Sequence, residues 1–132
     1  MEYWTVEFWE NNNGVCYIEK DILDNVKSDK LLEERLFKKT FYYTQKRIND
    51  LKAAEILEDV GSDIWELKFH LKVEIRYLGC FLEEDGPIKY YVLTGFIKKD
   101  QKIRNKYIKK AKSRLEELKY IKNELQKIRT NK

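Results

Sequence analysis

The chain has 132 residues, 42% hydrophobic and 38% charged, with 27 Lys/Arg against 23 Asp/Glu, two cysteines, one proline and a single histidine. That length builds one domain with a real core; no stretch approaches the roughly 18 apolar residues of a membrane span, and one histidine excludes a multi-histidine metal site. The formal charge of +4 hides an asymmetry, because residues 1–87 carry a net −7 (12 Lys/Arg, 19 Asp/Glu) and residues 88–132 a net +11 (15 against 4).

The opening MEYWTVEFWE carries acids and no basic segment, unlike a secretory signal. Residues 2–10 predict a strand in which Trp4, Val6 and Phe8 alternate with Thr5, Glu7 and Trp9. Asn11–Gly14 is a turn cluster. From Cys16 the pattern becomes helical, with Ile18, Ile22, Leu23 and Val26 on one side, and Ser28-Asp29 offers a break with an N-cap. A long helical run follows with Leu32, Leu36, Phe37, Phe41, Thr44, Ile48 and Leu51 on its stripe. In Phe41-Tyr42-Tyr43, helical spacing puts Phe41 and one tyrosine in the core, although the trio also resembles a base-stacking platform. Residues 53–63 read either as a short helical turn or as a loop.

At Ile64 the period changes to two. Trp65, Leu67, Phe69 and Leu71 face one way, with Trp65 expected in the core, and Glu66, Lys68, His70 and Lys72 face the other. Val73, Ile75, Tyr77 and Phe81 mark a second strand with Glu74, Arg76, Leu78 and Cys80 opposite. Glu83-Glu84-Asp85-Gly86-Pro87 is a hairpin turn, and 88–97 a third strand. The chain leaves through KKDQKIRNK into a long helix with Ile108, Ala111, Leu115, Leu118, Ile121, Leu125 and Ile128 on a narrow stripe. The order β-α-α-β-β-β-α predicts a single α+β domain over residues 1–132. Its helices pack on one face of a small antiparallel sheet, and a long C-terminal helix ends in an extension at about 119–132. The other face is then expected to stay open to solvent or a partner. Cys16 and Cys80 suit half-buried thiols in a reducing compartment, the cytoplasm.

The polar side of the meander is where chemistry is expected. Lys68 and His70 project together, Arg76 lies across the next strand, and Lys98, Lys99 and Lys102 follow at the sheet exit. Converging cations make a phosphate clamp; the competing reading is ordinary cross-strand ion pairing of Lys68 and Arg76 with Glu66 and Glu74. His70 is either a proton shuttle or a solvated surface residue. The basic run 98–112 is either a backbone-tracking surface or a solvated helix face.

Three separated segments resemble a family. Ile64-Trp65-Glu66-Leu67-Lys68 is similar to the WEL[RK] strand of HigB-like toxins, the phage-derived branch of the RelE/ParE superfamily. Ile75-Arg76-Tyr77-Leu78 resembles that branch's second meander strand. Leu93-Thr94-Gly95-Phe96-Ile97-Lys98-Lys99-Asp100-Gln101-Lys102 resembles its GFxKKTxK segment, and Ala111 and Arg114 fall on its A-x-x-R. The likeness covers about residues 64–118. It implies the toxin of a type II toxin–antitoxin system, a ribosome-dependent mRNA endoribonuclease in which the RNA's own 2′-OH attacks the adjacent phosphate, with no metal or other cofactor. It also implies a cognate helix-turn-helix antitoxin and contact with ribosome and messenger RNA, without a membrane partner. On this reading Arg76 and Lys98 stabilise the phosphate, Lys68 or His70 transfers protons, and Lys99, Gln101, Lys102 and Arg104 hold RNA. The alternative within the superfamily is a non-catalytic ParE-type toxin that inhibits DNA gyrase. Lys68 stands where arginine is more frequent, Asp100 where threonine is usual, and Ile103-Arg104 where the pattern has Thr-Pro.

Overall fold

In the computed structural model, which describes residues 4–11, 13–83 and 86–130, β1 (Trp4–Phe8) leads through a turn into a π-helical stretch, Glu19–Leu23, continuing as α1 (Asp24–Val26). Asn11 builds the turn by accepting from the amides of Asn13 and Val15 at 2.9 and 3.0 Å. Next come α2 (Lys30–Thr44), α3 (Ile48–Ala53), β2 (Leu57–Gly61), β3 (Ile64–His70), β4 (Glu74–Glu83), β5 (Ile88–Ile97) and α4 (Gln101–Thr130). The sheet order is β1-β5-β4-β3-β2, with β1 parallel to β5 and every other pair antiparallel.

The expected α+β architecture is present, with one strand more than the alternation indicates. Residues 57–61 form the edge strand β2, joined to β3 by a two-residue turn in which Ser62 and Asp63 have φ of 57° and 65°. Positive φ at both central positions is the hairpin geometry that matches strand twist. The break at Ser28-Asp29 holds: Asp29 caps α2 by accepting from the Leu32 amide at 3.1 Å. The long helical run does not hold as one stripe. It ends at Thr44, and Ile48 and Leu51 belong to the separate α3. Within α2 the buried positions are Leu32, Leu36 and Tyr43, whereas Phe37 and Phe41 are 74% and 63% exposed. Each phenylalanine sits one residue beyond a stripe position, about 100° around the helix, and so points outward. Trp65 is half-buried, under Lys52 Nζ at 4.5 Å from its ring centroid.

Both faces of the sheet are covered. On one, Leu67, Phe69, Ile75, Tyr77 and Tyr90 pack against Ile18, Ile22, Val26, Leu36, Tyr43 and Leu51. On the other, Ile64, Leu78, Cys80, Tyr91, Leu93 and Phe96 pack against Ala111, Leu115 and Leu118 of α4. The second sheet face is therefore not free, which corrects the expectation of an open one. The α4 stripe needs an apolar partner, and Leu78, Cys80 and Leu93 supply it. Only the end of this face, beyond Phe96, escapes the helix.

Two glycines make the strands fit. The β4–β5 register shifts at Leu78/Gly79, and a Cβ on Gly79 would lie 2.2 Å from the Tyr91 carbonyl oxygen. A Cβ on Gly95 would meet Ile18 Cδ1 at 2.6 Å, so glycine there lets the π-helical segment close on the β5 edge that β1 leaves uncovered. Arg114 locks the same corner, bonding the Asp21 carboxylate and the Leu93 carbonyl, with its guanidinium 4.0 Å from the Tyr17 ring. Cys16 is half-buried and Cys80 buried, and burial pushes the Cys80 thiol up to about 11. In the expected hairpin turn 83–87, Glu84 and Asp85 lie outside the described residues, as do the side chains of Leu125 and Ile128 on the α4 stripe.

Candidate functional site

Cross-strand partners project to the same face of a sheet, so strand register alone arranges the polar residues in rows. Lys68 pairs with Arg76, which pairs with Phe96; the row beyond holds His70 and Glu74, and Lys98 joins it by donating its amide to the Glu74 carbonyl at 2.8 Å. Nearer the α4 stripe, Glu66 pairs with Leu78, which pairs with Thr94. Lys68, His70 and Arg76 are thus brought together at the uncovered end of the face, with the Lys98 backbone beside them.

The outermost row contains a chain of charge-assisted bonds. His70 Nδ1 lies 2.7 Å from Glu74 Oε2, and Arg76 Nη1 donates to the same oxygen at 2.9 Å. The His70 side chain is 59% exposed and the Arg76 side chain only 6%. Burial by itself would raise the Glu74 carboxyl, but hydrogen bonds from Arg76 and His70 outweigh it and hold the carboxyl below its ordinary value. With Nδ1–H donated to Glu74, the neutral ring keeps Nε2 as an acceptor. Arg76 Nη1 also donates to the Ile75 carbonyl at 3.2 Å, while its buried Nε finds no hydrogen-bond partner among the described residues. An orphaned buried donor costs about 1–3 kcal/mol, a burden that tends to be kept where function requires it.

The row nearer the core is a balanced ionic network. Glu66, 1% exposed, accepts from Arg104 Nε at 3.1 Å and from Nη2 at 3.4 Å. Arg104 Nη2 also donates to Glu58 at 3.2 Å, and Lys68 Nζ lies 3.5 Å from that same carboxylate. Arg104, expected to hold RNA, is engaged by Glu66 and Glu58 and ties α4 to β2 and β3. Lys68 is likewise paired, through an acid on the strand that periodicity does not reveal, and its carbonyl accepts from the Tyr43 hydroxyl at 2.7 Å. Burial pushes that phenol up to about 12.

Lys98, Lys99 and Lys102 are exposed, and among the described residues no ion pair involves them. Gln101 donates to Asn105 Oδ1 at 3.1 Å along the helix surface. Asp100, standing where threonine is usual, caps α4: its Oδ1 accepts the Ile103 amide at 2.8 Å. The residues that sequence reasoning missed are Glu58, on an edge strand with only two apolar positions, and Glu74 as the partner that orients His70. The second was within reach, since a tight β3–β4 connection places His70 opposite Glu74.

A mostly antiparallel sheet carrying short helices on one face and a long C-terminal helix on the other, with polar residues gathered at one end, defines a small α+β domain, and the family model gives its class, that of RelE/ParE-type toxin-like proteins. The chain belongs to the family described as Phage derived protein Gp49-like (DUF891), whose model matches residues 26–116. That family is associated with the toxins of toxin–antitoxin pairs. No curated protein and no solved structure matches the chain. Among the described residues, no helix is long and apolar enough to cross a membrane.

Proposed function

We propose that this chain is a toxin of the HigB-like branch that cuts messenger RNA on the ribosome in the cytoplasm, and that a helix-turn-helix antitoxin restrains it. The observation that carries the reading is the 2.7 Å contact between His70 and Glu74 at the uncovered end of the sheet, with the ring exposed and Arg76 behind the carboxylate. His70 Nε2 takes the proton of the substrate 2′-OH as the O2′–P bond forms. The P–O5′ bond breaks, and O5′ takes up a proton from the imidazolium or from solvent. The products are a 2′,3′-cyclic phosphate and a 5′-hydroxyl end. Lys98, exposed beside Glu74, meets the charge that grows on the phosphoryl oxygens. Glu74 holds the imidazole in one tautomer. Arg76 is too buried to grip a phosphate fully and acts by positioning Glu74. Lys99, Gln101 and Lys102 hold the RNA backbone.

One observation favours a second reading, a non-catalytic ParE-type inhibitor of gyrase. Lys68, Arg76 and Arg104 are all paired with glutamates, which leaves fewer cations for a scissile phosphate than the sequence suggests. Expression in bacteria without an antitoxin separates the two. The nuclease reading expects growth arrest with new RNA 5′ ends inside translated regions, both relieved by His70→Gln and by Lys98→Ala. Arrest with intact messages and gyrase-linked DNA breaks supports the second reading; growth without arrest removes both.

A further inference from the structure

Beside this site, between the π-helical segment and the first turns of α4, lies a cavity of about 270 Å³ whose lining includes Asn25, Phe96, Lys99, Lys106 and Tyr107. The Phe96 and Tyr107 rings are stacked, their centroids 5.1 Å apart and their planes 6° from parallel, so a buried strand residue fixes the plane of a half-buried helix residue. Lys110 and Lys106 carry their ammonium groups 4.8 and 5.9 Å from the Tyr107 centroid. Phe96 stacks on Tyr107 and the two ammonium groups lie over the ring; a base that displaces these lysines from the ring stacks there while they turn to its phosphates, the pairing of aromatic plane and cations that holds single-stranded nucleic acid. The one carboxylate in the lining, Asp21, is already engaged by Thr94 and Arg114 and does not repel an anion freely. The Asn25 amide offers both a donor and an acceptor to a base edge.

The position relates the cavity to the cleavage site. Phe96 pairs across the strands with Arg76, and Ile97 with Ile75, so the cavity lies on the β5 side of the row that holds Arg76, next to the row of Glu74 and His70. The backbone of β3, which carries His70, stands two strand spacings from β5, about 10 Å. A nucleotide next to the scissile bond spans such a distance.

We propose that this cavity is a subsite for one unpaired nucleotide flanking the scissile phosphate, its base stacked on Tyr107 and its phosphates held by Lys99 and Lys106. The subsite rests on the nuclease reading for its place in the reaction, but the binding itself is measured without cleavage. The experiment uses the full chain carrying His70→Gln and a fluorescent six-nucleotide single-stranded RNA of mixed sequence, with anisotropy followed across a salt series. Tyr107→Leu is expected to weaken binding about 5- to 150-fold, the range for loss of one stacked base, with the salt slope unchanged. Tyr107→Phe keeps the plane and binds like the parent. Lys99→Gln and Lys106→Gln are exposed changes that leave folding alone, and each lowers the slope of log affinity against log salt by about 0.7. Unchanged affinity in Tyr107→Leu overturns the subsite, as do an unchanged slope in both lysine variants or no saturable binding at low salt. RNA bound through Tyr107 by a chain that leaves messages intact in cells sinks the nuclease reading alone. Messages cut at the parental rate after Tyr107→Leu sink only the subsite.

Discussion

Arg104 offers the sharpest test of the ionic network, because the resemblance makes it an RNA contact and the geometry makes it a structural one. Arg104→Met deletes both bonds to Glu66, a carboxylate that is 1% exposed and has Leu78 as its cross-strand neighbour. Removing one partner of a buried pair costs about 3–5 kcal/mol, chiefly from the charge left behind. The Arg104 side chain is 19% exposed and Glu58 about half exposed, so the lower end, about 3 kcal/mol, is expected. With a urea dependence of about 2 kcal/mol/M, the unfolding midpoint followed by tryptophan fluorescence falls by about 1.5 M. Thermal unfolding drops by roughly 10 °C for a domain of this size. Lys102→Met, an exposed change on the same helical turn, stays within about 0.5 kcal/mol of the parent. Glu66→Met combined with Arg104→Met recovers most of the loss, since an apolar pair can replace a buried ionic one. An Arg104→Met protein that unfolds at the parental midpoint yet binds RNA poorly would refute the reasoning and return Arg104 to the nucleic-acid surface.

Other outcomes follow from the same geometry. His70→Gln changes stability by less than about 0.5 kcal/mol, the ring being exposed, and lowers cleavage about 10²- to 10⁴-fold, the usual worth of a general base; single-turnover cleavage on programmed ribosomes checks both limits. Because Arg76 and His70 hold the Glu74 carboxyl below its ordinary value of 4.5, its contribution to stability is complete above that pH. It is lost as pH falls through the depressed folded value, so the acid limb of a stability profile should flatten in Glu74→Gln. Tyr43→Phe removes the hydrogen bond to the Lys68 carbonyl, costing about 1 kcal/mol. With the phenol pushed up to about 12, the parent loses stability as pH rises from the ordinary value of 10 through 12, and this variant lacks that part of the decline.

The meander was legible because Leu67, Phe69, Ile75 and Tyr77 alternate with the polar Glu66, Lys68, His70, Glu74 and Arg76 around the β3–β4 connection. Asp29 was legible as a cap because an acid at a helix start has one local task. β2 was not, because Leu57-Glu58-Asp59-Val60 is a short edge strand whose charged positions meet solvent and other charges. A helical stripe gives the direction of burial but not the surface it meets, so the period of α4 could not say which sheet face it covers. The site was half legible for a related reason. Spacing along β3 and β4 set Lys68, His70 and Arg76 on one face, but the Glu58–Arg104 contact joins residues 46 apart and leaves no local pattern. His70 was ambiguous in the sequence only because its partner lies on the next strand.

The most direct test of the central claim, that the RNA's own 2′-OH is the nucleophile and His70 its base, is the chemistry of the cut ends. Messenger RNA recovered from cells expressing the chain is predicted to carry 2′,3′-cyclic phosphates at the new 3′ ends and 5′-hydroxyls opposite, and both should disappear with His70→Gln. New ends bearing 3′-hydroxyl and 5′-phosphate groups, or cyclic ends that persist at full yield without His70, would contradict it.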